Sequence, residues 1–258
     1  MQPVVVKVGG ALLDNQQAMS NLLRALSQFR QHARREVVIV HGGGVVVDNL
    51  MAQLNLPVRK KGGLRITPES QITPVAGALA GSANKALLSQ ALTHNLNAVG
   101  LCLADGNMTR AWQFDVDLGH VAHVEPGDAT LLRTLLGAGF LPLISSIGID
   151  NRGRLMNVNA DEAAACIAKL LSAQLVLLSD VPGVLDGQGH CMATLNRAQI
   201  DELIARHIIR DGMAVKVNAA WQAACDSGQP VTIASWQDSD KLTALLHGDA
   251  VGTTITTH

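Results

Sequence analysis

The chain has 258 residues, 48% hydrophobic and 16% charged, and its 20 basic and 21 acidic side chains leave a formal net charge of -1. That balance offers no basic face to nucleic acid, and with no Tyr, three Phe and three Trp there are few rings on which bases could stack. The length suits one large α/β domain or two small ones; no apolar stretch approaches the roughly 20 residues of a membrane span, and Lys7 interrupts the first apolar run, so no secretory signal is read.

Short Val/Leu/Ile-rich runs alternate with longer segments of helical period. PVVVKV (3–8) reads as a strand, and Leu22, Leu23, Leu26 and Phe29 mark one face of a helix over 12–32. VVIV (37–40) is a second strand, followed after three glycines by a helix to about Leu54. Thr67-Pro68-Glu69 predicts a helix start with Pro at the first helical position, continued to His94 with a break near Gly77 or Gly81. AVGLCL (98–103) is a strand, 107–124 fits a small antiparallel excursion, 129–136 a helix and FLPLISS (140–146) a strand. Asn159 with Glu162 three residues on resembles a capping box opening a helix to about Leu171. LVLLSD (175–180), PVTIAS (230–235) and GTTI (252–255) are strands, and 197–207 and 215–225 are helices. Near-continuous apolar strands separated by helices predict a three-layer α/β/α sandwich around an open, mainly parallel sheet, one domain with two lobes.

In such a sheet ligands bind beyond the carboxyl ends of the strands. Three strands end in glycine: VVVKV in Gly9-Gly10, VVIVH in Gly42-Gly43-Gly44, and LVLLSD in the turn Val181-Pro182-Gly183. Glycine lets backbone amides approach an anion, although tight packing explains a single such turn equally well, and neither standard phosphate-loop motif occurs. Lys7 lies between valines near the end of a central strand, where a buried ammonium needs an anionic partner; on an edge strand it would be solvated. Lys216 falls in the first turns of a helix if Asp211 caps it, and alone reads as a surface lysine. Asp161 suits a helix first turn, and KKGGLRIT (60–67), with Arg65, reads as a solvated basic loop that could also clamp a carboxylate. His41 reads as structural, since no nucleophile pattern accompanies it. The four cysteines, Cys102, Cys166, Cys191 and Cys225, lie far apart without a C-x-x-C, as reduced thiols of a cytoplasmic protein do.

Taken together, KVGG (7–10), VIVHGGG (38–44), GLRIT (63–67), GALAGSANK (77–85), MNVNAD (156–161), LLSDVPGVLD (177–186) and GMAVKVNAA (212–220) resemble, in order and spacing, the motifs of the amino-acid kinase family over nearly the whole chain. Within it the chain is most similar to members that use ATP, with Mg²⁺, to phosphorylate the γ-carboxylate of N-acetyl-L-glutamate, an early step of arginine biosynthesis. The resemblance implies that Lys7 and Lys216 stabilise the transferring phosphoryl group and that Asp161 orients both lysines. It implies that Gly10, Gly43 and Gly44 donate backbone amides to the reacting groups, and that Arg65 and Asn157 hold the α-carboxylate and acetamido end of the acceptor. Asp180, Val181, Pro182, Gly183, Val184 and Leu185, with Ile208, Ile209 and Arg210, would line the nucleotide pocket. Residues 1–173 would form the acceptor-binding, dimerising lobe and 174–258 the nucleotide lobe. The first strand begins near Met1, so the resemblance is to the short, homodimeric, arginine-insensitive type. A kinase with another acceptor, or a non-catalytic sensor on the same fold, stays open as an alternative; a dehydrogenase lacks its fingerprint.

Overall fold

The computed structural model describes residues 2–32 and 35–257. Its centre is an eight-stranded sheet in the order β12-β14-β13-β11-β1-β2-β8-β5, formed by β1 (Val4–Val8), β2 (Val37–His41), β5 (Ala98–Cys102), β8 (Leu141–Ser145), β11 (Gln174–Ser179), β12 (Thr194–Leu195), β13 (Val231–Ser235) and β14 (Thr253–Ile255). All neighbours run parallel except β13 and β14. A second, four-stranded sheet joins β6 (Thr109–Gln113), β7 (Val121–Pro126), β10 (Leu155–Val158) and β9 (Ile147–Ile149), and β3 (Lys60–Lys61) pairs with β4 (Leu64–Arg65) in a short hairpin. The antiparallel excursion expected within 107–124 is the β6–β7 pair. β9, β10, β12 and the hairpin were not anticipated, being two to four residues long and without a clear alternation.

The strand period of two assigns each face of the large sheet. Val4, Val6 and Val8 of β1 and Val176 and Leu178 of β11 pack into one apolar cluster, with Leu22, Leu26 and Phe29 of α2 (Gln16–His32) and Leu242 of α10 (Ser239–His247). Val5, Leu175 and Leu177 belong to the opposite cluster, with Ala164 and Ile167 of α7 (Ala160–Leu171) and Val217 and Ala220 of α9 (Asp211–Ser227). Two covered faces give the three layers, and both clusters combine residues from either side of position 173.

Several boundaries differ from expectation for local reasons. The segment 12–32 is two helices, α1 (Gly10–Leu13) and α2, because the Asn15 side chain accepts from the Ala18 amide at 3.0 Å and starts a new helix. Pro68 is the N-cap residue of α4 (Glu69–Ala76), in extended conformation, rather than its first helical residue. No break occurs at Gly77 or Gly81: residues Gly77–Ala83 form a π-helix that runs into α5 (Asn84–Thr93). Only half of the capping box at α7 forms. Asn159 accepts from the Asp161 and Glu162 amides, but the Glu162 carboxylate accepts from His123 Nδ1 at 2.9 Å and the Val124 amide at 3.0 Å instead. Arg210, not Asp211, occupies the N-cap of α9; the Asp211 side chain lies outside the described residues.

Candidate active site

β1 occupies the middle of the sheet, between β11 and β2, so the solvated edge reading of Lys7 does not apply. Lys7 shares the face of Val5 and therefore points toward α7, where its ammonium meets Asp161 Oδ1 at 2.8 Å; their side chains are 17% and 33% exposed. Asp161 reaches that place because β10 leads directly into α7 and Asn159 caps the helix. On β11, in register beside β1, Ser179 lies on the same face and its hydroxyl accepts from Lys216 Nζ at 2.7 Å. Lys216 also meets Asp180 Oδ1 at 2.8 Å, so it is engaged rather than free in solvent. Hydrogen bonds from Lys216 and Ser179 hold the Asp180 carboxyl below the usual carboxylate range.

Lys7, Asp161, Ser179 and Lys216 all line one cavity of about 50 Å³. Asp161 pairs with Lys7, and the ion pair of Lys216 is with Asp180. The two cations are brought to one place by different carboxylates.

A second cavity, about 200 Å³, is lined by Gly43, Gly44, Arg65 and Asn157, together with apolar Val75, Leu79 and Val121. Gly43 precedes α3 (Gly44–Gln53), and a Cβ there would stand 2.9 Å from Leu79 Cδ2, so the turn must be bare for the π-helix to pack on it. A Cβ on Gly10 would lie 3.8 Å from the Gly44 amide nitrogen, and one on Gly9 would lie 3.6 Å from Lys7 Nζ. The ends of β1 and β2 thus converge, with the N-terminus of α3 against the turn that follows β1. His41, fully buried, sets its Nδ1 2.7 Å from the Gly42 carbonyl and its Nε2 3.0 Å from Asn84 Nδ2, a structural arrangement.

Arg65 is not a solvated loop residue. Its side chain is 10% exposed, and Nη2 donates to the Gly44 carbonyl at 3.3 Å and to Asp48 Oδ1. The Asn157 amide donates to Thr67 Oγ1 at 3.1 Å, and Thr67 Oγ1 donates to the Arg65 carbonyl at 3.1 Å, so Arg65 and Asn157 are wired together. Asp48, Thr67 and Ser179 were missed from sequence. Thr67 and Ser179 stand inside quoted motifs, whereas Asp48 carries no local signal.

In the turn after β11, Gly183 has φ +153° and a side chain there would meet Thr253 Oγ1 at 2.6 Å. The Val184 amide donates to Thr253 Oγ1 at 2.7 Å and its carbonyl accepts from Met192, so this turn is tied to β14. Val184 and Ile209 are buried in the core and present no side chain to a ligand; Asp180, Pro182, Leu185 and Arg210 are exposed, and Val181 and Ile208 half-buried. Ile208 borders a cavity of about 400 Å³ with Met192, Leu203 and Arg206. Among the described residues no cluster of three or more His, Cys, Asp or Glu could hold a metal ion, and no helix is long and apolar enough to cross a membrane.

The profile of the Amino acid kinase family matches residues 2–235. The chain belongs to this family. As an amino acid kinase it is a phosphotransferase. It is 54% identical over 255 residues, 99% of each chain, to the acetylglutamate kinase of Yersinia pestis (strain Pestoides F), and equally to that of Yersinia pseudotuberculosis serotype I (strain IP32953). Among solved structures, smu.665 from Streptococcus mutans UA159 is 26% identical with TM-score 0.80, covering 99% of this chain and 98% of that one. Giardia carbamate kinase, 16% identical with TM-score 0.68 and covering 100% and 99%, shares the fold of this amino acid kinase.

Proposed function

We propose that the chain transfers the γ-phosphoryl group of ATP to the γ-carboxylate of N-acetyl-L-glutamate, giving an acyl phosphate in arginine biosynthesis. The observation that carries this reading is the convergence of two lysines on one cavity beside the glycine turns. N-acetyl-L-glutamate occupies the cavity of Gly43, Gly44, Arg65 and Asn157, with its α-carboxylate on Arg65 and its acetamido group toward Asn157. Its γ-carboxylate is ionised at neutral pH, so no general base is needed. A carboxylate oxygen forms the new bond to phosphorus, the bond from phosphorus to the β,γ-bridging oxygen breaks, and its electron pair leaves with ADP.

Positioning and charge stabilisation do most of the work in such a transfer. Lys7 and Lys216 neutralise charge on the phosphoryl oxygens and the leaving oxygen. Asp161 keeps Lys7 in place, Asp180 and Ser179 keep Lys216, and the Gly10, Gly43 and Gly44 amides donate to the reacting anions. The turn Asp180–Leu185 and Ile208–Arg210 receive the nucleotide. Exposed Asp180, Leu185 and Arg210 offer side chains, while buried Val184 and Ile209 support the pocket from behind. Mg²⁺, arriving with ATP, would supply further neutralisation of phosphate charge beside Lys7 and Lys216. The lobe before residue 174 serves the acceptor and the remainder the nucleotide. Cytoplasmic location fits a biosynthetic kinase, and the half-buried edge strand β5 is suited to join a second copy in a homodimer.

The test is turnover with ATP and Mg²⁺ over a panel of carboxylates, trapping acyl phosphate as hydroxamate. Glutamate or aspartate used as well as N-acetyl-L-glutamate would reject the acceptor. Lys7→Ala and Lys216→Ala should each lower kcat at least about 100-fold, some 2.7 kcal/mol of barrier. Turnover within about threefold of wild type in both would remove the assigned roles.

A further inference from the structure

Arg65 stands on a two-residue strand that pairs, among the described residues, with one other two-residue strand. Such a hairpin holds its own side chains weakly. Its fixed point lies elsewhere: Asp48, on the second turn of α3, accepts from Arg65 Nη2 through Oδ1, while its Oδ2 lies 4.0 Å from Lys60 Nζ across the hairpin. α3 is itself anchored, with Val47 and Met51 on either side of Asp48 fully buried. Gly44, one turn earlier, takes a second bond from the same Nη2, so a rigid helix face holds one nitrogen of the guanidinium. Among the described residues no hydrogen bond is found for Nε or Nη1, leaving three N–H donors on a side chain that lines the cavity.

We propose that Asp48 is a positioning residue for the acceptor: from α3 it fixes Arg65 so that the remaining guanidinium donors face the α-carboxylate, and it thereby sets the preference for acceptors that carry one. The inference rests on the assignment of that carboxylate to Arg65. The charge count is consistent, since Arg65, Lys60 and Asp48 together leave one positive charge for one carboxylate. Coulomb attraction alone predicts the opposite effect of removing Asp48, tighter binding of an anion, so the two accounts differ in sign.

The experiment compares wild type, Asp48→Ala and Arg65→Ala with N-acetyl-L-glutamate and with 4-acetamidobutanoate, which is the same molecule without the α-carboxylate. KM is measured for the first, the competitive inhibition constant for the second, and KM for ATP in parallel. Asp48→Ala should raise KM for N-acetyl-L-glutamate about 10-fold, with ATP and the analogue each within about twofold. Asp48→Asn, which keeps the side-chain shape and one acceptor oxygen, should move the same constant in the same direction by less, and serves if the alanine variant folds poorly. An equal rise for both acceptors, no rise, or tighter binding overturns the proposal. Arg65→Ala separates the two levels: if it weakens both acceptors equally, the carboxylate assignment itself falls, whereas discrimination by Arg65 without any effect of Asp48 refutes the positioning role alone.

Discussion

Lys7 sits in an otherwise apolar strand, and it is tolerated there because Asp161 lies 2.8 Å away and both groups retain some solvent. Lys216 and Asp180 form a more open pair, 42% and 58% exposed, which adds little to stability. The same contrast of burial and access sorts the thiols. Burial pushes the Cys166 thiol up to about 12, whereas Cys191 and Cys225 are exposed. Because the thiolate is the reactive form, iodoacetamide at about pH 8 should alkylate Cys191 and Cys225 in the folded protein and spare Cys166, as read by peptide mass spectrometry. Labelling of Cys166 at a comparable rate would mean that α7 opens far more readily than its packing indicates.

At the scale of elements, α7 is the piece on which the site depends. Its first turn is held twice, by the Asn159 side chain on the Asp161 and Glu162 amides and by Glu162 reaching His123 and the Val124 amide of β7. Asn159→Ala should therefore lower stability by about 1 kcal/mol, measured by urea unfolding. An unchanged midpoint would show that the Glu162 contacts alone fix the helix start. The π-helix Gly77–Ala83 is the second decisive element. Its extra residue per turn leaves Leu79 against Gly43 and delivers Asn84 to His41 and to the Leu143 carbonyl at 2.8 Å. Composition marked this stretch as a place of irregularity through its two glycines, but a π-turn has no sequence period of its own to read.

For the whole molecule, β1 and β11 pair in parallel within one sheet, so the residues of the small cavity stand over a continuous ladder. His41 lies fully buried nearby, with Nδ1–H donating to the Gly42 carbonyl and Nε2 accepting from Asn84. Burial lowers its pKa. The unfolded chain then binds the proton more readily, so stability is complete above the ordinary histidine value of about 6.5 and declines as pH falls below it. Thermal unfolding should accordingly come earlier at about pH 5 than at about pH 7.5, and His41→Gln should flatten this dependence. A wild-type midpoint that does not move between those values would contradict it.

By itself the sequence determined what is local. Strand period placed Lys7 on the face opposite Val6, the glycines marked where β1 and β2 end, and Asn159 announced the start of α7, each decided by interactions within a few residues. It also carried the motifs of the family. Only the tertiary structure decided which charges meet: Lys216 lies 36 positions from Asp180 and Arg65 17 from Asp48, and each pairing depends on how separate strands and helices are brought together. Arg65 shows the difference most plainly. In KKGGLRIT it stands among lysines and glycines and reads as solvated, yet a helix from an earlier part of the chain covers it. Side-chain direction is set by the backbone at that residue; the identity of the neighbour is set by packing of the whole.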